Sequence, residues 1–453
     1  MTNKYSVTDL CEFIWALESK YKLNKLDYKD VKIWQISRMK IFYKLSIEIE
    51  LYGQAHSSYL NPIKQIKAVP LFLLNSIKNN PFFTTKKFNY LLIGHNRRTK
   101  KDDFYVDIYT EKLLENNSSN FMILEQDFEF KHYEKHYANT YYLDSLLLRV
   151  GFSTKFSRII SFNEEVKKII ENIEKDITDR FNIELSIMKI LQNEYINFRI
   201  QYKYYYSLMI KKKFEKLYVV IGYLRMAAIS AAKDLGIETI ELQHGTISKY
   251  HLGYSYPNEK FIDYFPSKLY TFGSFWNKAA CYPENISDDN FEVIGFPNIS
   301  EYKAINLDDT DSVLFLSQGV IGKELLDLAF NYSKLNREKK IKFKFHPSEY
   351  SRWKKYFDTS ICDEIIRNIE VIDYKSNLYE LICSSNHIVG VFSTALYEAL
   401  HFGKNVYVAN LPGVEYMDDL IDMNIIKKFK DINELNNLIN SNELRTSKLT
   451  FFE

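Results

Sequence analysis

The chain has 453 residues, of which 46% are hydrophobic and 26% charged, and its net charge is only +2. This length predicts two domains of roughly 150–250 residues each rather than a single core. Four scattered cysteines without a CxxC pair argue against a metal cluster or a disulfide framework. No zinc-finger, RNP or helix-turn-helix pattern points to nucleic acid as a partner.

The N-terminal residues lack the charged, apolar and small-residue order of an export signal, and apolar runs such as 68–74 are far shorter than the roughly 20 residues of a membrane span. We therefore expect a cytoplasmic protein, or one that is peripheral on the inner face of the plasma membrane. Residues 51–101 contain nine lysines and arginines and no acidic residue, with apolar side chains between them. Such a segment suits an anionic membrane surface or a phosphate-bearing substrate, but it also fits a solvated basic face.

In chain order, residues 1–85 predict a helical N-terminal extension, because apolar residues recur there at spacings of three and four. Short apolar strands then alternate with helices, interrupted by a long helical insert near 164–213. This alternation predicts parallel sheets, with a Rossmann-like acceptor domain over 86–258 and a nucleotide-binding one over 259–453. The predicted strands are 88–94, 121–124, 158–162, 217–221, 237–242, 268–272, 291–294, 311–316, 341–345, 369–372, 387–391 and 405–409.

Two motifs follow strands of the second half, at the sheet edge where open α/β proteins bind ligands. Pro347 ends one strand and presents His346, whose imidazole can donate to a phosphate oxygen. Ser393 and Thr394 begin a helix whose free N–H groups and dipole favour phosphate. Glu398 follows on the same helix, where a carboxylate could bind ribose hydroxyls. Each motif alone also fits a structural histidine or an ordinary helix cap.

A third motif, Gln243-His244-Gly245-Thr246, follows a strand of the first half. The order of the three motifs resembles that of bacterial sialyltransferases and polysialyltransferases, of teichoic-acid polymerases that use CDP-glycerol, and of the Kdo transferases of capsule synthesis. The resemblance covers mainly residues 217–410. It implies a GT-B fold, two Rossmann-like domains facing across a cleft, and transfer without a metal or cofactor.

The resemblance also implies roles for individual residues. The predicted nucleotide site comprises Ser317, Gln318, Gly319, His346, Pro347, Ser393, Thr394 and Glu398. The predicted acceptor contacts are His95, Arg97, Arg98, Gln243, Gly245 and Thr246. His244 is the first candidate for a general base, and Asp102, Asp103 and Asp107 are alternatives, although Phe104 replaces the glycine of the sialyltransferase acidic motif.

The sequence thus predicts a glycosyltransferase that moves a sugar from a nucleotide-activated donor, with a CMP-sugar favoured. Its acceptor would be a glycan or glycolipid of capsule, O-antigen or lipooligosaccharide. Three alternatives stay open. They are a polyol-phosphate transferase that uses a CDP-alcohol, a UDP-sugar 2-epimerase, and a non-catalytic scaffold of the same fold.

Overall fold

A computed structural model of the chain describes residues 4–52, 62–95, 98–101, 103–128, 130–153, 160–257, 259–296, 299, 302, 312–347, 349–350, 353–356, 359–373, 375–441 and 449–453. Within these residues the chain forms two parallel sheets, each flanked by helices, and a separate helical core. The two-sheet arrangement confirms the predicted α/β class.

The first sheet has seven strands in the spatial order β11-β10-β9-β8-β3-β6-β7, all parallel. Its strands are β3 (Tyr90–Ile93), β6 (Phe121–Glu125), β7 (Thr140–Tyr142), β8 (Lys216–Val220), β9 (Glu238–Leu242), β10 (Lys268–Thr271) and β11 (Phe291–Val293). Two small antiparallel pairs lie outside it, β1 (Asp27–Tyr28) with β2 (Val31–Lys32) and β4 (Thr99–Lys101) with β5 (Phe104–Val106). The sheet continues past residue 258, where the sequence placed the domain boundary. Hydrophobic periodicity identifies strands but does not show which sheet they join.

The second sheet has six parallel strands in the order β14-β13-β12-β15-β16-β17. These are β12 (Ser312–Leu316), β13 (Lys340–Lys344), β14 (Glu370–Val371), β15 (His387–Gly390), β16 (Asn405–Ala409) and β17 (Lys427–Phe429). The central strands are apolar on both faces because helices cover both sides of a parallel sheet. From the sequence we expect residues 418–439 to be mostly helical, but they contain strand β17, whose two lysines give no apolar pattern.

The helices are α1 (Val7–Tyr21), α2 (Ile33–Glu48), α3 (Pro62–Lys78), α4 (Glu111–Glu115), α5 (Asp144–Ser153), α6 (Glu164–Phe181), α7 (Ile187–Lys212), α8 (Met226–Asp234), α9 (Gly322–Leu335), α10 (Thr359–Asn368), α11 (Leu378–Cys383), α12 (Thr394–His401), α13 (Asp418–Asp422) and α14 (Ile432–Asn440). Among the described residues, none of these helices is both long and apolar enough to cross a bilayer.

A helical unit, formed by residues 4–52 and 160–198, has an apolar core that also includes Met226, Ala227, Tyr250, Leu252 and Tyr264 of the first domain. It joins the predicted N-terminal extension to the long insert, since α1 and α2 pack against α6 and the first part of α7. Phe162 is buried in this core, and residues 160–162 form no strand, so the predicted strand at 158–162 is wrong over that part. Residues 158 and 159 lie outside the described part of the chain.

Candidate active site

A cavity of about 630 Å³ separates the carboxyl edges of the two sheets. His244 and Thr246 line it from the first sheet, and Ser317, His346 and Thr394 line it from the second. Two Rossmann-like domains therefore face each other across a cleft, which is the arrangement that defines the GT-B fold. The remaining predicted residues that line the cavity are Gln318, Pro347, Ser393 and Glu398.

The second-sheet edge presents the N-terminus of α12. Ser393 caps this helix, because its hydroxyl accepts a hydrogen bond from the N–H of Ala395 at 3.2 Å. The Leu396 N–H donates to the Ser393 carbonyl at 3.0 Å, and the helix dipole adds positive potential at this end. An anionic oxygen is therefore the ligand that this edge suits best.

A buried carboxylate shapes the rest of this edge. Glu349 is fully buried, and its Oε2 accepts hydrogen bonds from the Ser317 hydroxyl at 2.8 Å and from the His346 N–H at 2.9 Å. Gly322 leaves room for this side chain, since a Cβ there would lie 1.5 Å from Glu349 Oε1. Glu349 thus fixes two of the predicted nucleotide-binding loops relative to each other. The sequence shows it three residues after His346, but no role was predicted for it.

Three buried polar atoms at the cavity have no hydrogen-bond partner among the described residues. They are Glu398 Oε2, Gln318 Oε1 and Ser248 Oγ. Glu398 Oε1 receives only a long 3.5 Å hydrogen bond from the Tyr379 hydroxyl, and burial raises the pKa of this carboxyl to about 7. Because unsatisfied buried polar groups are costly, these acceptors mark a surface that suits a hydroxyl-bearing ligand.

The first-sheet edge presents His244 at the end of a polar chain. The Tyr254 hydroxyl donates to Glu241 Oε1 at 2.6 Å, and its oxygen lies 3.4 Å from His244 Nδ1. Since the Tyr254 proton is directed to Glu241, we assign Nδ1 of His244 as the protonated nitrogen, which leaves Nε2 as a base. Burial, together with the neighbouring His251 and His95, lowers the pKa of His244 to about 3, so the imidazole is neutral at pH 7.

Burial raises the pKa of Glu241 to about 7, against the hydrogen bond from Tyr254. Gly222 accommodates this carboxylate, because a Cβ there would lie 2.2 Å from Glu241 Oε2. Glu241 and Tyr254 were missed in the sequence. The signal for the first was available, since Glu241 stands between the apolar residues Ile240 and Leu242 at the end of strand β9.

The two edges touch through their hydroxyl residues. Thr246 Oγ1 and Thr394 Oγ1 are 3.1 Å apart. Gly245 lies beside them, with room for a Cβ at 3.6 Å from Thr394 Oγ1. Gln243 is buried and supports the turn: it donates to the Gly245 carbonyl at 2.8 Å and accepts from the Phe272 N–H at 2.8 Å. Gln243, Gly245 and Gly319 do not themselves line the cavity.

The predicted acceptor loop after β3 is held by contacts with buried acidic residues. Asp107 is buried and accepts hydrogen bonds from the N–H groups of His95 at 2.7 Å and Tyr109 at 3.1 Å. These bonds give the carboxylate a structural role. The Arg98 side chain is only 7% exposed, pairs with Glu125 at 2.9 Å and does not line the cavity. Tyr109 does line it.

The other first-sheet candidates contribute less. Asp103 is exposed and outside the cavity lining, and His95 also lies outside it. Arg97 and Asp102 lie outside the described residues. Among described residues, no three His, Cys, Asp or Glu side chains converge in the manner of a metal site.

Helix α2 of the helical unit supplies a wall of the cavity that sequence reasoning missed. Met39, Phe42, Tyr43 and, just beyond the helix, Tyr52 line it. The Tyr52 hydroxyl lies 2.9 Å from that of Tyr416 in the second domain. The helical unit therefore contacts both domains beside the cleft.

The same unit fixes the loop after Thr246, which also lines the cavity with Ser248, Tyr250, His251 and Leu252. The Arg38 guanidinium donates to the Leu252 carbonyl and pairs with the buried Glu18 carboxylate. Cys11 Sγ donates to the Tyr250 carbonyl at 3.4 Å. The backbone carbonyls of Tyr250 and Leu252 are thus bound by helices α1 and α2.

No family model matches the sequence, and no curated protein matches it either. Among solved structures, the chain is similar to the UDP-GlcNAc 2-epimerase of Methanocaldococcus jannaschii in complex with UDP-GlcNAc and UDP (TM-score 0.45, 11% identity, 80% of this chain and 95% of that one). It is also similar to the UDP-GlcNAc 2-epimerase of Neisseria meningitidis bound to UDP-GlcNAc (0.42, 12%, 78% and 89%) and to the wall teichoic acid polymerase TagF (0.40, 11%, 85% and 90%). The GT-B fold of this chain is shown by its own two sheets and the cleft between them.

Proposed function

We propose that the chain is a glycosyltransferase that moves a sugar from a nucleotide-activated donor to a hydroxyl of a glycan or glycolipid acceptor. One observation carries the proposal: a phosphate-favouring helix N-terminus and a neutral histidine face the same cavity from opposite domains. The contact between Thr246 and Thr394 brings the two edges together. The closed cleft would keep water from the reaction.

In this proposal the second-sheet edge holds the leaving group. The bond between the anomeric carbon and the phosphate oxygen breaks, and its electron pair leaves with the nucleotide. The N-terminus of α12 and the His346 imidazole stabilise the negative charge that develops on that phosphate. Glu398, with the acceptor oxygen Oε2 unpaired among described residues, receives ribose hydroxyls.

The first-sheet edge would activate the acceptor. The acceptor hydroxyl gives its proton to Nε2 of His244 as its oxygen bonds to the anomeric carbon. The imidazolium that forms is stabilised through Tyr254 by the Glu241 carboxylate. The low pKa of His244 keeps the base unprotonated, and the charge of a donor phosphate beside it would raise that pKa.

The identity of the donor has two candidates. The resemblance of the motifs favours a CMP-sugar. The alternative is a CDP-alcohol and polyol-phosphate transfer. Both donors carry two negative charges, and Lys344, whose Nζ binds the Asp373 and Ser376 carbonyls, is the one lysine or arginine among the described residues that line the cavity.

A thermal-shift screen with CMP, CDP, UDP and GDP tests the proposal, because a bound nucleotide raises Tm by mass action. The nucleotide that stabilises the protein selects the donors for an assay with glycan acceptors, analysed by mass spectrometry. A glycoside supports the proposal, a phosphodiester supports polyol-phosphate transfer, and an epimerised donor formed without acceptor indicates an epimerase. If no nucleotide raises Tm, the chain is a scaffold and the proposal fails.

A further inference from the structure

Helix α3 presents an apolar face to solvent. Leu71, Leu74 and Ile77 are exposed and follow one another at spacings of three, which places them on one side of the helix, and Leu73 flanks them. Phe83, just beyond the helix, is also exposed, at 66% against 68% for Ile77. Elsewhere in the described chain, large exposed apolar residues occur singly or in pairs along the sequence. This concentration is unusual for a solvated surface.

The opposite side of α3 is already occupied by the protein. Ala68, Phe72 and Asn75 are buried, and the helix packs against α5. The Asn75 amide donates to Asp144 Oδ2 at 2.9 Å. The exposed apolar face is therefore not a core face that awaits an internal partner.

The segment that carries this face has charges of one sign. Residues 51–101 contain no acidic residue, and four lysines on helix α3 or after it in the sequence are exposed: Lys67, Lys78, Lys86 and Lys87. A helix with apolar residues on its outer side and lysines beside them fits a surface that is apolar inside and anionic outside. Basic residues at an anionic lipid surface add attraction that weakens with salt. Among the described residues, α3 is not long and apolar enough to cross a bilayer, and the orientation we consider is along its surface.

A chain of polar contacts connects α3 to the cleft. Asp144 contacts His132 Nε2 at 2.8 Å, His132 Nδ1 contacts Glu125 at 3.0 Å, and Glu125 pairs with Arg98 at 2.9 Å. Arg98 in turn donates to the His95 carbonyl, next to the loop that carries Tyr109 into the cavity lining. Helix α3 thus lies at the same edge of the first sheet as the cleft.

We propose that the exposed face of α3, formed by Leu71, Leu73, Leu74, Ile77 and Phe83 with the four lysines, docks the protein on an anionic lipid bilayer. The docking does not depend on the proposed function. If the chain is a glycosyltransferase, its first-sheet edge would be held near the membrane, where a lipid-linked acceptor would reach it.

The test is flotation of the full-length protein with vesicles of phosphatidylcholine, with and without 30 mol% phosphatidylglycerol. We expect binding to the anionic vesicles that decreases in high salt. The double variant Leu74→Glu with Ile77→Glu should reduce binding about tenfold or more, because it removes two apolar contacts and adds two negative charges. The matched control, Ile366→Glu with Met423→Glu, alters two exposed apolar positions of the second domain and should float like wild type.

Circular dichroism and Tm show whether the variants are folded, as expected for exposed positions. The proposal is overturned if wild type does not float with anionic vesicles, or if Leu74→Glu with Ile77→Glu floats equally well. It is also overturned if the face instead mediates self-association, which sedimentation would reveal as a concentration-dependent dimer that the same double variant abolishes.

Discussion

The two edges of the cleft are built in different ways. At the second-sheet edge, the supporting contacts come from the same domain: Ser393 caps the helix that follows it, and Glu349 binds the N–H of His346 and the hydroxyl of Ser317, 32 residues away. At the first-sheet edge, the loop after Thr246 is held by Arg38 and Cys11, more than 200 residues away. Contacts within one domain suit an edge that must bind one constant group such as a nucleotide. Long-range contacts let a separate helical unit shape the side where substrates differ.

If the two edges have these separate tasks, the largest effect on turnover is expected when the base His244 is removed. His244→Ala should lower turnover by about 10²–10⁴-fold, because a positioned general base contributes that much, while nucleotide affinity stays unchanged. Steady-state kinetics and calorimetry on the same preparation measure both. His401→Gln, on the exposed side of α12, is the control and should leave both unchanged. Loss of nucleotide affinity in His244→Ala would place the histidine in the donor site instead.

Substitution of one glycine at each edge of the cleft should disturb that edge alone. Gly222→Ala would place a Cβ 2.2 Å from Glu241 Oε2, and turnover should decrease by up to about 10²-fold through misplacement of the base. Gly322→Ala would displace Glu349, and nucleotide affinity should decrease by about tenfold through loss of its charged hydrogen bonds.

The control for both glycines is Gly151→Ala, in helix α5, where a Cβ meets nothing within 4 Å. It should leave turnover and affinity as in wild type. If Gly222→Ala and Gly322→Ala both reduce affinity and turnover by the same factors, the two edges do not have separate tasks.

The pH dependence of turnover tests the role of Glu241. Its pKa is raised to about 7, so the carboxylate that stabilises the imidazolium is present above pH 7 and lost below it. We expect kcat/KM to decrease by about tenfold for each pH unit below 7. In Glu241→Gln this limb of the profile should disappear, and turnover should be low at every pH. An unchanged profile in this variant would exclude the carboxylate from the mechanism.

The smallest effect concerns stability. Burial raises the pKa of Glu398 to about 7, so the folded protein favours the protonated carboxyl. The stability that this protonation gives is fully present below the unfolded-state pKa of 4.5 and is lost as pH rises through 7, where the buried charge becomes a cost. Glu398→Gln removes this cost, about 3 kcal/mol at most, and should raise the Tm of the nucleotide-free protein at pH 8 by a few degrees. The same variant should bind nucleotide more weakly. A lower Tm at pH 8 would mean that the carboxylate is needed for folding.

The contrast between the edges also explains how much the sequence could predict. The second-sheet edge was found because a capped helix start and a His-Pro strand end are local patterns. His244 and Thr246 were found for the same reason. The α/β class and most strands followed from periodicity.

Contacts distant in sequence leave no such pattern. Tyr43 and Tyr52 line the cavity only because helix α2 packs beside the cleft. Arg98 looked like an acceptor contact, but Glu125 and Asp107 bury it. Strand β17 was missed because lysines occupy two of its three positions.

The most direct test of the central claim is calorimetric titration of the nucleotide selected by thermal shift, CMP or CDP first, into wild type, His244→Ala, and the double variant His346→Ala with Ser393→Ala. If the second-sheet edge holds the nucleotide, the double variant should lose about 10²-fold in affinity, since it removes the imidazole that contacts the phosphate and the cap of the helix N-terminus. His244→Ala should bind as wild type does. Equal affinity in all three proteins would contradict the assignment of the nucleotide to this edge.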